Sequence, residues 1–497
     1  MSAPQTRPRV EALGRSAARG GVVTLAGQGI RALLQAASII VLARLLGPTD
    51  YGYVAMIGAV VGAATILQDF GLSRAAVQAP SITRGQRDNL FWLNLACGAA
   101  AAAVVVAGAP ALAAFYGEPV LVDITRWLAV PFLLGGLAAQ FRASLMRDLR
   151  FTSIVVIDVA ASAVGLVVAV GVAVLDGSYW ALVAQQLVTA GVLAVGSVVA
   201  ARWLPGLPRR QESVRSFISY GLHQLGAQLL TYASMNADTV VVGARFGTVS
   251  AGIYDRAFRM MMLPVRQLQY PVTRVAMPVL SRLQDDAAAF GAFVVRGQVI
   301  LLNLLAPAMM LTAAVAEPVV EVVLGQRWLD VAPLFAVLAL GGVFQAATFT
   351  SGWVFMATGR MRSQFRFALW SRPLVVLAVV LGSLWGVMGV AVAYGTTSAL
   401  LWPVSLWWAG RAAGLPARQW LLSGCRTLAA HGVAALCAAG VVRLVGPEAP
   451  WAAIGLALAT AVAALALEAL VWPAFRRDLR DVARTRSLLR RERVAAG

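Results

Sequence analysis

Apolar runs of about 20 residues alternate with short polar segments along most of the chain. Clear examples are Val155–Leu175, Trp180–Val199 and Trp451–Trp472. Each run is long enough to cross a hydrocarbon core of about 30 Å as an α-helix. The pattern predicts an all-α polytopic membrane protein with about 14 transmembrane helices. Their expected centres lie near Gln35, Gly62, Ala102, Leu133, Val164, Val192, Leu230, Leu263, Leu302, Phe344, Ala378, Leu400, Val433 and Val462.

Composition agrees with this class, because 60% of the residues are apolar and 13% are charged, against roughly a quarter charged in soluble domains. All 41 basic residues are arginine, against 22 acidic residues. Without lysine the chain can form neither the P-loop of an ATPase motor nor a pyridoxal Schiff base, and we expect no cofactor. The arginines lie at helix ends, so the net charge of +19 indicates no nucleic-acid partner. Cys97, Cys425 and Cys437 show no CxxC spacing and predict neither a disulfide framework nor a metal site.

Arginine divides the loops between these runs into two alternating sets. One set is rich in arginine, as at Arg84 and Arg87 or at Arg209 and Arg210, whereas the other carries acids such as Asp50. By the positive-inside rule, the arginine-rich loops and both termini face the cytoplasm. The sequence therefore predicts a multi-pass protein of the cell (inner) membrane with both termini cytoplasmic.

One short motif occurs twice. Ala244–Gly252 repeats Ala43–Gly52 with one residue deleted, and the glycines match at an offset of 200 (247 − 47 and 252 − 52). An even number of spans separates the copies, which predicts two six-helix lobes as parallel repeats that work by alternating access, plus an appended C-terminal helix pair. The expected divisions are a cytoplasmic tail (1–19), the first lobe (20–203), a cytoplasmic linker (204–213), the second lobe (214–409), the appended pair (419–473) and an arginine-rich cytoplasmic tail (474–497).

The eighth span carries several charges on one helical face. At about 100° per residue, Asp255, Arg256, Arg259, Arg266 and Arg274 all fall within about 100° of one another. The arginines extend over roughly 27 Å, most of the depth of the hydrocarbon core. Guanidinium groups bind phosphate through paired donors, so Arg256, Arg259 and Arg266 are candidate substrate-binding residues. The alternative is structural, since Asp255 and Arg259 at i and i+4 can form an ion pair.

Other ionisable residues inside predicted spans are also candidates, because a charge in hydrocarbon is costly unless it has a partner or faces water. Arg31 lies on a polar stripe with two glutamines in the first span and is a candidate substrate contact; the alternative is snorkelling to the interface. Asp158, Asp238 and Asp255 are candidates for coupling transport to a proton or sodium gradient. For Asp158 and Asp238 the alternative is pairing with a neighbouring arginine.

Six segments carry a family resemblance. They are LARLLGPTDYGYVAM from Leu42, LFWLNL from Leu90, FYGEP from Phe115, YWALVAQQLV from Tyr179, NADTVVVGARFG from Asn236 and GIYDRAF from Gly252. These segments resemble the polysaccharide transporters of the Wzx/WzxC type, which belong to the multidrug/oligosaccharidyl-lipid/polysaccharide (MOP) superfamily. The resemblance extends from about Gly21 to Trp408 and implies a MOP/MATE-like fold.

The resemblance also implies a flippase and not an enzyme. Such a protein moves undecaprenyl-pyrophosphate-linked oligosaccharide from the cytoplasmic to the outer leaflet during synthesis of O-antigen (lipopolysaccharide), exopolysaccharide, capsule or teichuronic acid-like polymers. The implied partners are this lipid-linked oligosaccharide, membrane lipids and polysaccharide polymerase or export machinery. Two alternatives stay open: an integral-membrane polysaccharide polymerase or glycosyltransferase, and a MATE-like drug/cation antiporter. The lack of a DxD motif or large outer loop disfavours the first, and the basic eighth span disfavours the second.

Overall fold

The computed structural model describes residues 7–69, 71–79, 81–209, 214–445 and 449–480, and every regular element within these ranges is helical. The first half of the chain forms α1 (Arg7–Leu45), α2 (Pro48–Asp69), α3 (Leu72–Gln78), α4 (Arg84–Tyr116), α5 (Leu121–Trp127), α6 (Val130–Arg147), α7 (Phe151–Leu175) and α8 (Trp180–Ala201). The second half forms α9 (Arg215–Leu283), α10 (Ala287–Ala314), α11 (Ala316–Leu324), α12 (Val331–Ala347), α13 (Phe349–Ala357), α14 (Met361–Gly382), α15 (Gly386–Ala413), α16 (Ala417–Val445) and α17 (Pro450–Val471). Residues 473–480 are helical as well.

Within the described part of the chain, eleven stretches are long and apolar enough to cross a membrane. One of them, Met361–Ala413, contains both α14 and α15, which meet at a 3-10 turn, Ser383–Trp385. Gly386 follows with a φ of 81°, a left-handed value that glycine adopts without the clash of a β-carbon. The prediction of an all-helical polytopic protein is therefore confirmed, whereas the number 14 stays a prediction.

The longest helix, α9, has 69 residues and contains the centres of two predicted spans, near Leu230 and Leu263. Its backbone departs from helical geometry at Gly247, where φ is 79° and ψ is −174°. A residue with a β-carbon would be strained in this conformation. Gly47, the matching residue of the first motif copy, lies between α1 and α2. The repeated glycine therefore marks a helix break in both copies.

The two copies of the motif also pack against each other. A β-carbon added at Gly52 would lie 1.9 Å from the carbonyl oxygen of Thr248, so glycine is needed for the backbones of α2 and α9 to approach this closely. The Thr248 hydroxyl donates to Glu118 Oε1 at 2.6 Å. Further along, the Tyr232 hydroxyl donates to the carbonyl oxygen of Gly58 at 2.9 Å. The contacts at Gly52 and Gly58 hold the N-terminal part of α9 against α2, and the Thr248 hydrogen bond holds it to the segment that follows α4.

Packing divides the chain into two compact units, Met1–Gly252 and Ile253–Gly497. In the first unit, α7 packs along α1 and α8, and α4 packs along α2 and α6. In the second, α10 packs against α12 and α16, α15 against α12 and α14, and α16 against α17. The predicted lobe boundary at 204–213 was based on the number of spans that precede and follow it. It stays a prediction. The described part of that linker is held on α4, because the Asn89 side chain and the Arg209 backbone exchange two hydrogen bonds of 2.7 Å.

Candidate functional site

Two charged clusters of the same composition lie among the helices, one in each compact unit. Each consists of one aspartate bound by two arginines. We call them the α7 triad, formed by Arg31, Arg142 and Asp158, and the α9 triad, formed by Asp255, Arg256 and Arg259.

In the α9 triad, Asp255 accepts hydrogen bonds from both arginines. Arg256 Nη2 lies 2.9 Å from Oδ2, and Arg259 Nε lies 2.8 Å from Oδ1 and 2.7 Å from Oδ2. Asp255 and Arg256 are buried, whereas 54% of the Arg259 side chain is exposed. Because Asp255 and Arg259 are four residues apart on one helix, they share a face. The ion pair between Asp255 and Arg259, which the sequence offered as the structural alternative, is therefore present. With two arginines and one aspartate, the α9 triad carries a net positive charge.

Arg266 extends this charged face. It lies seven residues after Arg259, nearly two full turns along α9, so the two side chains point to the same side about 10 Å apart along the axis. Arg266 is exposed and has no ion pair among the described residues. The side chain of Arg274 lies outside the described residues. Arg259 and Arg266 thus present guanidinium groups that can donate paired hydrogen bonds to phosphate oxygens.

The α7 triad joins three helices. Arg31 Nη1 of α1 lies 3.0 Å from Asp158 Oδ2 of α7, and Arg142 Nη1 of α6 lies 2.8 Å from Oδ1. Asp158 is largely buried, whereas 51% of the Arg31 side chain is exposed. The sequence left two possibilities for Asp158, ion coupling or pairing with an arginine, and in the structure Asp158 is paired with two arginines. The pairing of Arg31 was not expected, and Arg142, which lies within α6, was not among the candidate residues.

Asp238 is the remaining candidate carboxylate. It is buried, and its Oδ1 accepts a hydrogen bond from the backbone N–H of Thr239 at 2.8 Å. It lies on α9 before the break at Gly247. Within the described residues, no three His, Cys, Asp or Glu side chains are grouped so as to hold a metal ion. A role of Asp238 in ion coupling stays a prediction.

Arg372 is a charged residue that the sequence pattern did not single out. It lies near the middle of the 22-residue helix α14 and is half-buried, with no carboxylate partner in the described part of the chain. It lies near Tyr394, whose hydroxyl donates to Gln345 Oε1 at 2.8 Å. A signal was present, because Arg372 lies six residues beyond Arg366 and inside an apolar run. Arginine in such a position commonly serves function.

Relatives of this chain are bacterial proteins named for polysaccharide biosynthesis. The family model described as "Polysaccharide biosynthesis protein" matches residues 41–333, more than half of the chain. Teichuronic acid biosynthesis protein TuaB of Bacillus subtilis (strain 168) is 26% identical over 300 residues, which are 60% of this chain and 62% of that protein. Lipopolysaccharide biosynthesis protein WzxC of Escherichia coli (strain K12) is 24% identical over 363 residues, or 71% and 73% of the two chains. The chain thus spans less than two thirds of the length of TuaB.

Solved structures share the fold. The lipid II flippase MurJ in an inward closed conformation matches with a TM-score of 0.72 at 11% identity, over 92% of this chain and 99% of that one. An inward-facing multidrug resistance MATE family transporter of the MOP superfamily matches with a TM-score of 0.61 at 12% identity, over 79% and 98%. The expected MOP/MATE-like fold is therefore confirmed.

Proposed function

The chain belongs to the polysaccharide biosynthesis protein family, and we propose that it is a flippase for lipid-linked oligosaccharides and not an enzyme. It moves polyprenyl-pyrophosphate-linked oligosaccharide from the cytoplasmic to the outer leaflet of the inner membrane during synthesis of a surface polysaccharide. Relatives named for teichuronic acid and lipopolysaccharide biosynthesis, and the fold shared with a lipid II flippase, support this proposal. Its partners are the lipid-linked oligosaccharide, the surrounding lipids and the polymerase or export machinery that receives the cargo.

The observation that carries the proposal is the pair of charged triads. Arg31 and Arg259 each pair with a carboxylate, yet each keeps about half of its side chain exposed, at 51% and 54%. A pyrophosphate leaves water only at a large cost in free energy, which fixed cations offset. Guanidinium groups stay charged at all physiological pH values and fit phosphate oxygens with paired donors. Each unit thus offers exposed guanidinium groups as proposed contacts for a pyrophosphate: Arg31 in the first unit, and Arg259 and Arg266 in the second.

Arg256 has a different proposed role. Its side chain is buried and donates to Asp255 at 2.9 Å. Arg256 therefore holds the carboxylate, which in turn orients Arg259. Of the three arginines proposed from the α9 sequence, Arg256 acts as a positioning residue in this arrangement.

The two carboxylates offer a way to couple transport to an ion gradient. A proton or sodium ion that neutralised Asp255 would weaken its hold on Arg259 and leave that arginine to the pyrophosphate. Asp158 and Arg31 would act in the same way in the first unit. We propose that such exchange accompanies alternating access, with the cargo bound at one side of the membrane and released at the other.

A drug/cation antiporter is the competing function, because a multidrug resistance transporter shares the fold. Each triad has two guanidinium groups and one carboxylate. A net positive charge attracts an anionic cargo and repels a cationic one. The charge of the triads therefore favours a pyrophosphate cargo.

The test replaces the chromosomal gene with the double variant Arg259→Gln, Arg266→Gln. We expect loss of surface polymer and accumulation of lipid-linked oligosaccharide facing the cytoplasm, with unchanged amounts of protein in the membrane. Lysine at both positions should restore part of the export, because the charge survives and the paired donors are lost. Arg282→Gln, exposed near the end of the same helix, is the matched control and should export normally.

Two outcomes would contradict the proposal at different levels. Normal export by the double glutamine variant would show that Arg259 and Arg266 are not needed for transport. If a strain lacking the whole protein accumulated no lipid-linked oligosaccharide, the flippase function itself would be rejected.

A further inference from the structure

A cavity of about 440 Å³ lies in the second compact unit, between α10, α16 and the helical segment 473–480. It is separate from the α9 triad, which contributes no residue to its lining. One wall is apolar and includes Val295 and Ile300 of α10. The polar lining consists of Arg296, Gln419, Ser423, Arg426 and Asp478.

The polar wall is rich in hydrogen-bond donors. Arg426 donates from Nε and Nη2 to the two carboxylate oxygens of Asp478, both at 2.7 Å. This pairing uses two of the five N–H donors of the guanidinium group. Arg296 adds a second guanidinium from α10, and the Gln419 amide and Ser423 hydroxyl lie on the α16 side. The described lining thus carries two guanidinium groups against one carboxylate.

The cavity lies toward the arginine-rich end of both helices. Arg296 and Arg426 each lie nine residues after the start of their helix, about 14 Å along the axis. Arg282 and Arg418 near these starts place this end in the cytoplasm by the positive-inside rule. Helices of 28 and 29 residues exceed the hydrocarbon core of about 30 Å by several ångströms at each end. The two guanidinium groups are therefore within a side chain's length of the lipid head groups.

We infer that this cavity binds the phosphate of an anionic glycerophospholipid of the cytoplasmic leaflet, independently of the transported cargo. Basic cavities between membrane helices on the cytoplasmic side are suited to anionic head groups, and guanidinium groups bind phosphate oxygens strongly. Gln419 and Ser423, which precede Arg426 on α16, face the polar head group on the cytoplasmic side of the phosphate, and Val295 and Ile300 contact the start of an acyl chain. The lipid bridges α10 to α16 and to the segment 473–480, and so fastens the appended helix pair to α10 within the second unit.

The test measures lipid retention by the purified full-length protein in detergent, using native mass spectrometry. Phosphatidylglycerol and phosphatidylcholine with the same acyl chains are the two probes. The wild-type protein should retain phosphatidylglycerol in preference, and Arg296→Gln should weaken that retention roughly fivefold, the effect of about 1 kcal/mol per arginine near an anionic surface. Arg296→Lys should keep most of it, because the charge remains. Arg282→Gln lies outside the cavity and should match the wild type.

A second variant tests whether the effect comes from the cavity as a whole or only from a local change in structure at Arg296. Arg426→Gln with Asp478→Asn removes the ion pair without leaving one charge unpaired, and it should also weaken retention of phosphatidylglycerol. Equal retention of both lipids by the wild type would overturn the inference, as would undiminished retention by both the Arg296→Gln and the double variant. Displacement of phosphatidylglycerol by an equimolar polyprenyl pyrophosphate would assign the cavity to the cargo and overturn it as well.

Discussion

Gly52 and Gly252 pack backbone against backbone, because a β-carbon on Gly252 would lie 2.9 Å from the amide nitrogen of Gly52 and 2.0 Å from the carbonyl oxygen of Pro48. The two glycines occupy matching places in the repeated motif, so the repeat meets itself at this point. Small residues let membrane helices approach closely enough to gain dispersion energy where hydrophobic association is weak. Backbone atoms cannot rotate away as a flexible side chain can, so the contact between Gly52 and Gly252 tolerates no added volume.

Gly252→Ala should therefore lower the free energy of unfolding by about 1–3 kcal/mol, the range for overpacked sites. Thermal unfolding of the protein in detergent measures the effect. Gly58→Ala on α2 is the matched control, because no atom lies within 4 Å of its added β-carbon, and it should leave the melting temperature unchanged or raise it. Equal melting temperatures for Gly252→Ala and the wild type would show that the contact between Gly52 and Gly252 is loosely packed.

The α7 triad yields a second prediction. Asp158→Asn should destabilise the protein by about 1–3 kcal/mol, because two guanidinium groups lose a charged acceptor. The double variant Arg142→Gln, Asp158→Asn should lose less than the sum of the single losses, since the two residues interact directly. Asp285→Asn, at an exposed site, serves as the control. Unchanged stability of Asp158→Asn together with transport that no longer depends on pH would identify Asp158 as a coupling group with no structural role.

Local sequence patterns predicted most of the helices, because each apolar run had the length of a span and needed no knowledge of its neighbours. The pairing of Asp255 with Arg259 was also accessible, since helix geometry alone brings i and i+4 together. The partners of Asp158 could not be predicted from the sequence. Arg31 is 127 residues away from it in sequence, and no local pattern tells which faces of α1 and α7 meet. Arg142 was missed because it lies 16 residues before Asp158 on a different helix, and the helical spacing of one segment does not connect the two.

Membrane topology gives a third prediction. In a variant whose native cysteines are replaced, Thr49→Cys should react with an impermeant thiol reagent added outside intact cells, and Ser81→Cys should react only after the membrane is opened. Both positions are exposed, so accessibility within the fold does not distinguish them. The reason is the arginine content of the two loops, which places Ser81 in the cytoplasm. Labelling of Ser81→Cys from outside would reverse the assigned orientation.

The sequence predicts an arginine-rich cytoplasmic tail at 474–497, and its part beyond residue 480 lies outside the described residues. The structure adds an internal contact, the two hydrogen bonds from Arg426 to Asp478. A chain ending at Arg480 should therefore melt at the wild-type temperature. A chain ending at Phe475 leaves Arg426 without this acceptor and should lose about 1–3 kcal/mol of stability. If both truncated chains melt at the same temperature, the contact contributes nothing measurable.

Arg372 gives the last prediction, in which stability and transport respond in opposite ways. A cation near the middle of a membrane helix costs roughly 2.5–3.5 kcal/mol on insertion scales, and no carboxylate of the described chain offsets it. Arg372→Gln should therefore leave the melting temperature unchanged or raise it. If Arg372 contacts the anionic cargo, the same variant should reduce flipping in proteoliposomes about tenfold or more, the effect of losing a charge-assisted hydrogen bond of about 1.5–3 kcal/mol. Arg366→Gln is the control, because Arg366 is exposed on the same helix. A lowered melting temperature with normal flipping would instead make Arg372 a structural residue.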